Sequence, residues 1–243
     1  MPRIYLPVSY VSDNLISVDS EKAHYIMSVL RCKKGDELLI FNGQGTCFRT
    51  MIAKADRKEI LAEIIETLDC DTESRVHVVL VQALLKGEKM DMVIQKATEL
   101  GVQAIIPVVT ERSQVKETRK ILRWRKIAEE ASRQSGRSIV PEVREADAFI
   151  RFMIREGTEI RGRGLMFCEK GGISLPDAVA SLVPKTLSVF IMIGPEGGFT
   201  QDEITLAGEK GAIATTLGRR ILRAETAAIS AVSLVQFLFG GLE

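Results

Sequence analysis

The chain has 243 residues, 46% of them hydrophobic and 27% charged, with a net charge of +1 at pH 7. That is enough material for one large or two ordinary globular domains, and it excludes a polycation that grips nucleic acid by bulk charge; such a partner would have to be met by local patches. Four cysteines without a C-x-x-C pair and only two histidines argue against a zinc site, and idle thiols in a reducing compartment are the expectation. The start, MPRIYLPVSY, lacks the apolar core of a secretory signal. The most apolar helical segment, AAISAVSLVQFLFGGL, is broken by serines and a glutamine and falls short of a membrane span. A soluble, cytoplasmic protein is expected.

In chain order, the first 70 residues read as short strands: RIYLP, NLISV, ELLIF, TCFRTMIA and EILAEIIE, with NGQG (Asn42 to Gly45) as a hairpin turn. One helix interrupts them, where Ala23, Ile26, Met27 and Leu30 recur at helical spacing. Short strands with one helix predict a small β-barrel. The polar run DCDTES marks a linker, so the expected domains are 1–70 and 75–243. Beyond it the rhythm alternates. VHVVLVQAL, VQAIIPVV, GLMFC, TLSVFIMIG and AIATTLG read as buried strands. KMDMVIQKATELG, RKILRWRKIAEEASRQSG, TQDEITLAGEKG and ETAAISAVSLVQFLFG read as helices, the first stopped by Gly101 and the second near Gly136. Continuous apolar strands alternating with helices predict an α/β domain with a mostly parallel sheet covered on both faces.

Two strand-to-helix loops stand out. In MIGPEGGFTQDEI, Thr200 and Glu203 form a T-x-x-E capping box, so GPEGGF lies between a strand end and a helix start. Ligands of open α/β sheets bind at that edge. The G-x-x-G-G spacing is neither a dinucleotide fingerprint nor a P-loop, and taken alone it fits a tight turn without a ligand equally well. The second loop, TLGRRILRAETAAISA, carries Arg219, Arg220, Arg223 and Glu225 beside an LG dipeptide and an apolar IL pair. Exposed backbone with apolar walls suits a flat heterocycle such as adenine, while a solvated basic loop is the plainer alternative. Upstream, Glu111 to Arg144 holds ten basic residues against five acidic ones, enough for a local basic patch.

With these two loops, the segments HYIMSVLRCKKGDEL, LLKGEKMDMVIQKATELGV, TERSQVK and EEASRQSGRSIVPEV resemble, in order and spacing, the RsmE family of ribosomal RNA methyltransferases within the SPOUT superfamily. The segment from Ala146 to Lys185 matches only loosely. The resemblance implies a PUA-like N-terminal barrel and a SPOUT domain with a deep trefoil knot, an exception to the rule against threaded chains. It implies S-adenosylmethionine as methyl donor and N3 of a uridine in 16S ribosomal RNA, free or in the small ribosomal subunit, as acceptor. It also implies a homodimer. Phe167, Gly194, Leu217, Gly218, Ile221 and Leu222 are then the expected cofactor contacts. Arg223 is the expected cation for charge on the uracil carbonyls, and Glu225 its orienting partner or the proton acceptor. Arg3, Arg31, Lys86, Lys89, Arg112 and Arg137 are the candidates for RNA contact. A SPOUT enzyme acting on transfer RNA or a ribose 2′-hydroxyl, and an inactive RNA-binding module, are the alternatives.

Overall fold

The computed structural model describes residues 1–7, 11–12, 14–56, 59–70, 72–182, 188–239 and 241. It divides into two compact units, residues 1–73 with 132–140, and residues 74–131 with 141–243.

The first unit is a six-stranded sheet. Its strands are β1 (Arg3–Tyr5), β2 (Val11–Ser12), β3 (Leu15–Val18), β4 (Glu37–Phe41), β5 (Thr46–Ala55) and β6 (Ile60–Asp69). They lie in the order β1-β4-β5-β6-β3-β2, antiparallel except for the β1–β4 pair. Among the described residues no pairing joins β2 to β1. Two register shifts, at Arg49/Thr50 and Ile52/Lys54, interrupt the long β5–β6 ladder and bend it. The helix α1 (Ser20–His24) runs on as a π turn over Tyr25–Val29. It sets Ala23 and Ile26 into a core with Ile16, Val18, Leu38, Ile40 and Ile60. The hairpin turn forms as the sequence predicts: the Asn42 side-chain oxygen accepts from the N–H groups of Gln44 and Thr46 at 2.8 and 3.0 Å.

Two features of this unit differ from the sequence reading. Cys47 and Cys70 are joined in a disulfide, with Cα atoms 6.1 Å apart, instead of standing as idle thiols. Their separation of 23 residues hides a proximity created by the β5–β6 hairpin, which sets Cys47 opposite Leu68. Residues 132–140 also pack here, and Arg137 is their anchor. Its guanidinium donates to Glu73 at 2.6 and 3.1 Å. The same carboxylate accepts the N–H groups of Ser138 and Ile139, both at 3.1 Å. The Arg137 side chain is only 4% exposed. Arg3 in turn donates to the Arg137 carbonyl at 2.6 Å and lies over the Phe41 ring.

The second unit is an all-parallel sheet with helices on both faces. Its strands are β7 (His77–Ala83), β8 (Ala104–Val109), β9 (Glu142–Val143), β10 (Asp147–Ala148), β11 (Gly164–Phe167), β12 (Ile173–Ser174), β13 (Ser188–Ile193) and β14 (Ile213–Thr216). The order is β10-β8-β7-β13-β11-β14-β12, with β9 beside β8. Helices α2 (Lys89–Glu99) and α7 (Ala224–Leu238) pack on each other and α7 on β7 and β13. Helices α4 (Phe149–Ile160) and α6 (Gln201–Glu209) pack together on a core of Val81, Ile106, Phe152, Met166, Phe190 and Met192. α3 (Ile121–Ser135) and the short α5 (Leu175–Ala180) complete the element list. The sequence reading assigned no element to the segments that form α4 and α5. The chain lays down β11 first and then inserts β13 between it and β7, so three consecutive sheet neighbours, β13, β11 and β14, end side by side at one carboxyl edge.

The Glu73 carboxylate holds a buried guanidinium and two backbone N–H groups. Glu73→Ala is expected to destabilise the first unit by about 3–5 kcal/mol in urea unfolding, while Arg49→Ala, which breaks the exposed pair with Glu66, is expected to cost no more than about 1 kcal/mol.

Candidate active site

The loops that follow β11, β13 and β14 enclose a cavity of about 620 Å³ at the carboxyl edge of the second unit's sheet. A side recess of about 60 Å³ shares Phe167, Cys168, Glu169, Ile221 and Leu222 with it and adds Leu217 and Gly218. This is the edge where strand order reverses around β7, the usual place for ligands in open α/β sheets. The recess has an apolar part, formed by Phe167, Leu217, Ile221, Leu222 and Ala227, with Glu169 and Arg220 also lining it. The rest of the cavity is different in character, because Lys89, Arg112, Lys170, Glu196 and Arg223 line it.

The glycine loop after β13 is held from two sides. Thr200 Oγ1 accepts from the Glu203 N–H at 3.3 Å and Glu203 Oε2 accepts from the Thr200 N–H at 2.9 Å, which makes the capping box complete. The other oxygen of Glu203 accepts the Glu111 N–H at 2.9 Å. Arg112 then lies across the loop and donates to the carbonyls of Gly197 and Phe199 at 3.0 and 3.2 Å. A Cβ on Gly197 would stand 3.3 Å from the Arg112 Cβ, so the bare glycine gives Arg112 its seat. The loop after β14 is set by Thr216, whose hydroxyl bonds both the N–H and the carbonyl of Gly218. Gly218 has φ of +103°, a conformation side-chain-bearing residues rarely adopt.

The charged wall is built around one lysine. Lys89, at the first turn of α2, donates to Glu196 Oε1 at 3.0 Å and lies 3.9 Å from Glu225 Oε2. The Lys86 N–H points at the same Glu196 oxygen from 3.4 Å. Burial alone would push the Glu196 carboxyl up, but hydrogen bonds from its own backbone, Lys89 and Lys86 outweigh it and hold the group below its ordinary range. Glu196 Oε2 and Glu225 Oε2 are both buried without a hydrogen-bond partner. Arg223 is exposed at the N-terminus of α7, and no side chain caps that helix.

Of the residues singled out in the sequence, Phe167, Gly194, Ile221, Leu222 and Arg223 line the cavity, and Leu217 and Gly218 line its recess. Glu225 is buried beside Lys89, and no hydrogen bond or ion pair joins it to Arg223 among the described residues. The anticipated Glu225–Arg223 pair is therefore replaced by Glu225–Lys89, because the first turn of α7 points that side chain into the protein. Among the six basic candidates, Lys89 and Arg112 reach the cavity, and Lys86 and Arg31 are exposed. Arg137 is committed to the internal bonds of the first unit and, at 4% exposed, leaves no face for a phosphate, while the partly buried Arg3 donates to the Arg137 carbonyl. The sequence reading missed Glu196, although its position between glycines in GPEGGF was a signal for a side chain aimed at the loop's ligand. It also missed Thr216 and Cys168. Burial pushes the Cys168 thiol up to about 11, so it stays protonated near neutral pH and is no nucleophile. Among the described residues no three His, Cys, Asp or Glu side chains gather to hold a metal, and no helix is long and apolar enough to cross a membrane.

This donor set fits a nucleoside-like ligand. The recess offers the flat apolar walls and backbone edges a purine needs, with Gly218 leaving its floor open where a Cβ would meet nothing within 4 Å. Outside the recess, the unpartnered carboxylate oxygens of Glu196 and Glu225 suit a ligand or substrate that brings hydrogen-bond donors.

Residues 72–236 match the family of RNA methyltransferase domains, and residues 18–65 match the RNA methyltransferase PUA domains. The chain is 33% identical over 230 residues to ribosomal RNA small subunit methyltransferase E of Bacillus subtilis, covering 91% of this chain and 89% of that one. The crystal structure of the Neisseria gonorrhoeae ribosomal RNA small subunit methyltransferase E bound to S-adenosyl methionine superposes with a TM-score of 0.87 at 32% identity, covering 98% of each chain. A Legionella pneumophila protein described as a methyltransferase, solved with bound S-adenosylmethionine, superposes with a TM-score of 0.86 at 34% identity over 97% of each chain. A cavity at the carboxyl edge, a PUA-type first unit and full-length similarity of this degree agree, and the chain belongs to the ribosomal RNA small subunit methyltransferase E family.

Proposed function

We propose that this protein methylates N3 of a specific uridine in 16S ribosomal RNA, with S-adenosylmethionine as the methyl donor. The observation that carries the reading is the cavity itself: a recess lined by Leu217, Gly218, Ile221 and Leu222 opens beside a wall bearing Lys89, Arg112 and Arg223, at one sheet edge. The names and bound ligand of the similar proteins support it.

Phe167, Ile221 and Leu222 would flank the adenine, and Gly194, Leu217 and Gly218 would meet the donor through backbone. When bound, the donor supplies a methyl group made electrophilic by a sulfonium. The protein's own work is positioning and charge. N3 must shed its proton, and the charge that follows spreads over the two uracil carbonyls. Arg223, exposed at the uncapped start of α7, brings a guanidinium and the positive end of a helix dipole to one of them. Glu225 serves by fixing Lys89. The target base must be turned out of folded RNA to reach this depth, and Arg31, Lys86 and Arg112 are the proposed contacts to surrounding phosphates.

A SPOUT domain with a trefoil knot is part of this reading; the placement of β13 between the earlier strands β7 and β11 is compatible with it. A homodimer is proposed on α7, where Leu234, Phe237 and Leu238 stand exposed in its last turns. A cytoplasmic location follows from a ribosomal substrate.

Mapping modified nucleotides in 16S ribosomal RNA by mass spectrometry, from cells with and without this protein, should show one N3-methyluridine that depends on it; an unchanged map refutes the reading. Arg223→Ala should lower kcat about 10²–10³-fold and leave the S-adenosylmethionine Kd within a few-fold by calorimetry. Gly218→Val should do the converse. Forcing a β-branched residue to positive φ costs about 1–3 kcal/mol, read as a roughly 5- to 150-fold weaker donor affinity.

A further inference from the structure

Lys89 is poorly suited to be a phosphate anchor. Its ammonium sits on the cavity wall between two carboxylates, 3.0 Å from Glu196 and 3.9 Å from Glu225. With one positive and two negative groups, the charge of Lys89 is already matched by the acids beside it. Both acids also keep a buried oxygen without a hydrogen-bond donor, and such groups call for a partner that the isolated chain does not supply. The cluster lies at the charged end of the cavity, away from the recess formed by Leu217, Gly218 and Phe167. It therefore offers a donor and an acceptor, side by side, to whatever lies next to the methyl donor.

A uracil edge has the complementary order: a carbonyl acceptor beside an imide N–H donor. Resting on the functional reading above, we propose that Lys89 and Glu196 read this edge, with Lys89 donating to a uracil carbonyl and the Glu196 carboxylate accepting the N3 proton. The carboxylate turns about its last torsion to present an oxygen to N3–H. As the N3 lone pair bonds the methyl carbon, the bond from that carbon to the donor's sulfur breaks and its electron pair stays on sulfur, leaving a neutral thioether; the N3–H bond breaks, its electron pair stays on nitrogen, and the proton moves to Glu196, forming a carboxylic acid. Rising acidity of N3–H during bond formation makes an ionised carboxylate a sufficient acceptor. Glu225 is a positioning residue: it keeps Lys89 paired while Glu196 is neutral. Cytosine, with no proton on N3 and an amino group in place of a carbonyl, mismatches both groups. With Arg223 on the second carbonyl, both oxygens that gather charge are covered.

The experiment measures single-turnover methylation of 16S ribosomal RNA between pH 6 and 9, with RNA affinity against salt measured in parallel. Wild-type protein, Lys89→Met, Glu196→Gln and Lys86→Ala are compared. Glu196→Gln is expected to lose about 10²-fold or more at pH 7, and to recover about tenfold per pH unit as the imide ionises in solution without help. Lys89→Met is expected to lower the rate about 10²-fold without changing the salt slope of binding, whereas Lys86→Ala should reduce that slope by about 1. A pH-independent loss in Glu196→Gln, or wild-type rates in it, overturns the assignment of the acceptor. A reduced salt slope with an intact rate in Lys89→Met makes Lys89 a phosphate contact and overturns its part. Calorimetry with S-adenosylmethionine checks that each variant is folded and loaded, and Glu196→Asp and Lys89→Arg, which keep the charge, take the same test where a neutral variant does not fold. A wild-type protein that binds the donor but methylates no ribosomal RNA overturns the functional reading itself, and is distinguished from the other outcomes by failing before any substitution is made.

Discussion

The Glu203 carboxylate is the joint on which the cavity depends. One oxygen caps α6 through the Thr200 N–H, and the other holds the Glu111 N–H. A carboxylate at a helix start is favoured by the dipole in any case; here the same charge also fastens a second loop. Arg112 is thereby delivered to the carbonyls of Gly197 and Phe199. A glycine-rich loop has much conformational entropy to lose on ordering, so a loop meant to present backbone to a ligand needs restraints that leave its inner face bare. Glu203 and Arg112 supply them from outside.

Sheet order explains why these loops meet. Three parallel neighbours, β13, β11 and β14, all send their carboxyl ends to one edge, and each is followed by a loop that contributes to the cavity or its recess. Parallel pairing needs crossover connections, and the helices of those crossovers cover the faces, which leaves the edge as the place where backbone can stay unsatisfied by the fold. The loops differ in chemistry because their sequences do: TLGRRIL brings apolar walls and an open glycine, while GPEGGF brings an acid between glycines.

Charge is placed locally in a molecule with a net charge of +1. Arg3 and Arg137 are spent inside the first unit, where Glu73 gathers a guanidinium and two backbone N–H groups. Lys89 is bracketed by acids, and Arg112 is laid over a loop. Basic side chains thus serve folding in one place and loop restraint in another, and only their neighbours tell them apart.

Much was legible in the sequence. Apolar runs of strand length, the T-x-x-E capping box and the glycine stops mark β7, β8, β11, β13, β14, α2, α3, α6 and α7 because each is a local signal, set by residues within a turn or two of one another. The same holds for the two loops that line the cavity, GPEGGF and TLGRRIL, whose glycines and apolar pair lie within a few residues of a strand end and a helix start. The segments that form α4 and α5 went unassigned, since the reading of 146–185 rested on a loose match and not on helical periodicity, although α4 buries Phe149, Phe152, Met153 and Ile160 on one face. What the tertiary structure alone decided is partnership: Cys47 with Cys70, Arg137 with Glu73, Glu225 with Lys89 and not Arg223. Those choices join residues 23 to 136 positions apart, and no local pattern records them, because a hydrogen bond or an ion pair depends on which groups the packed sheet brings within about 3–4 Å.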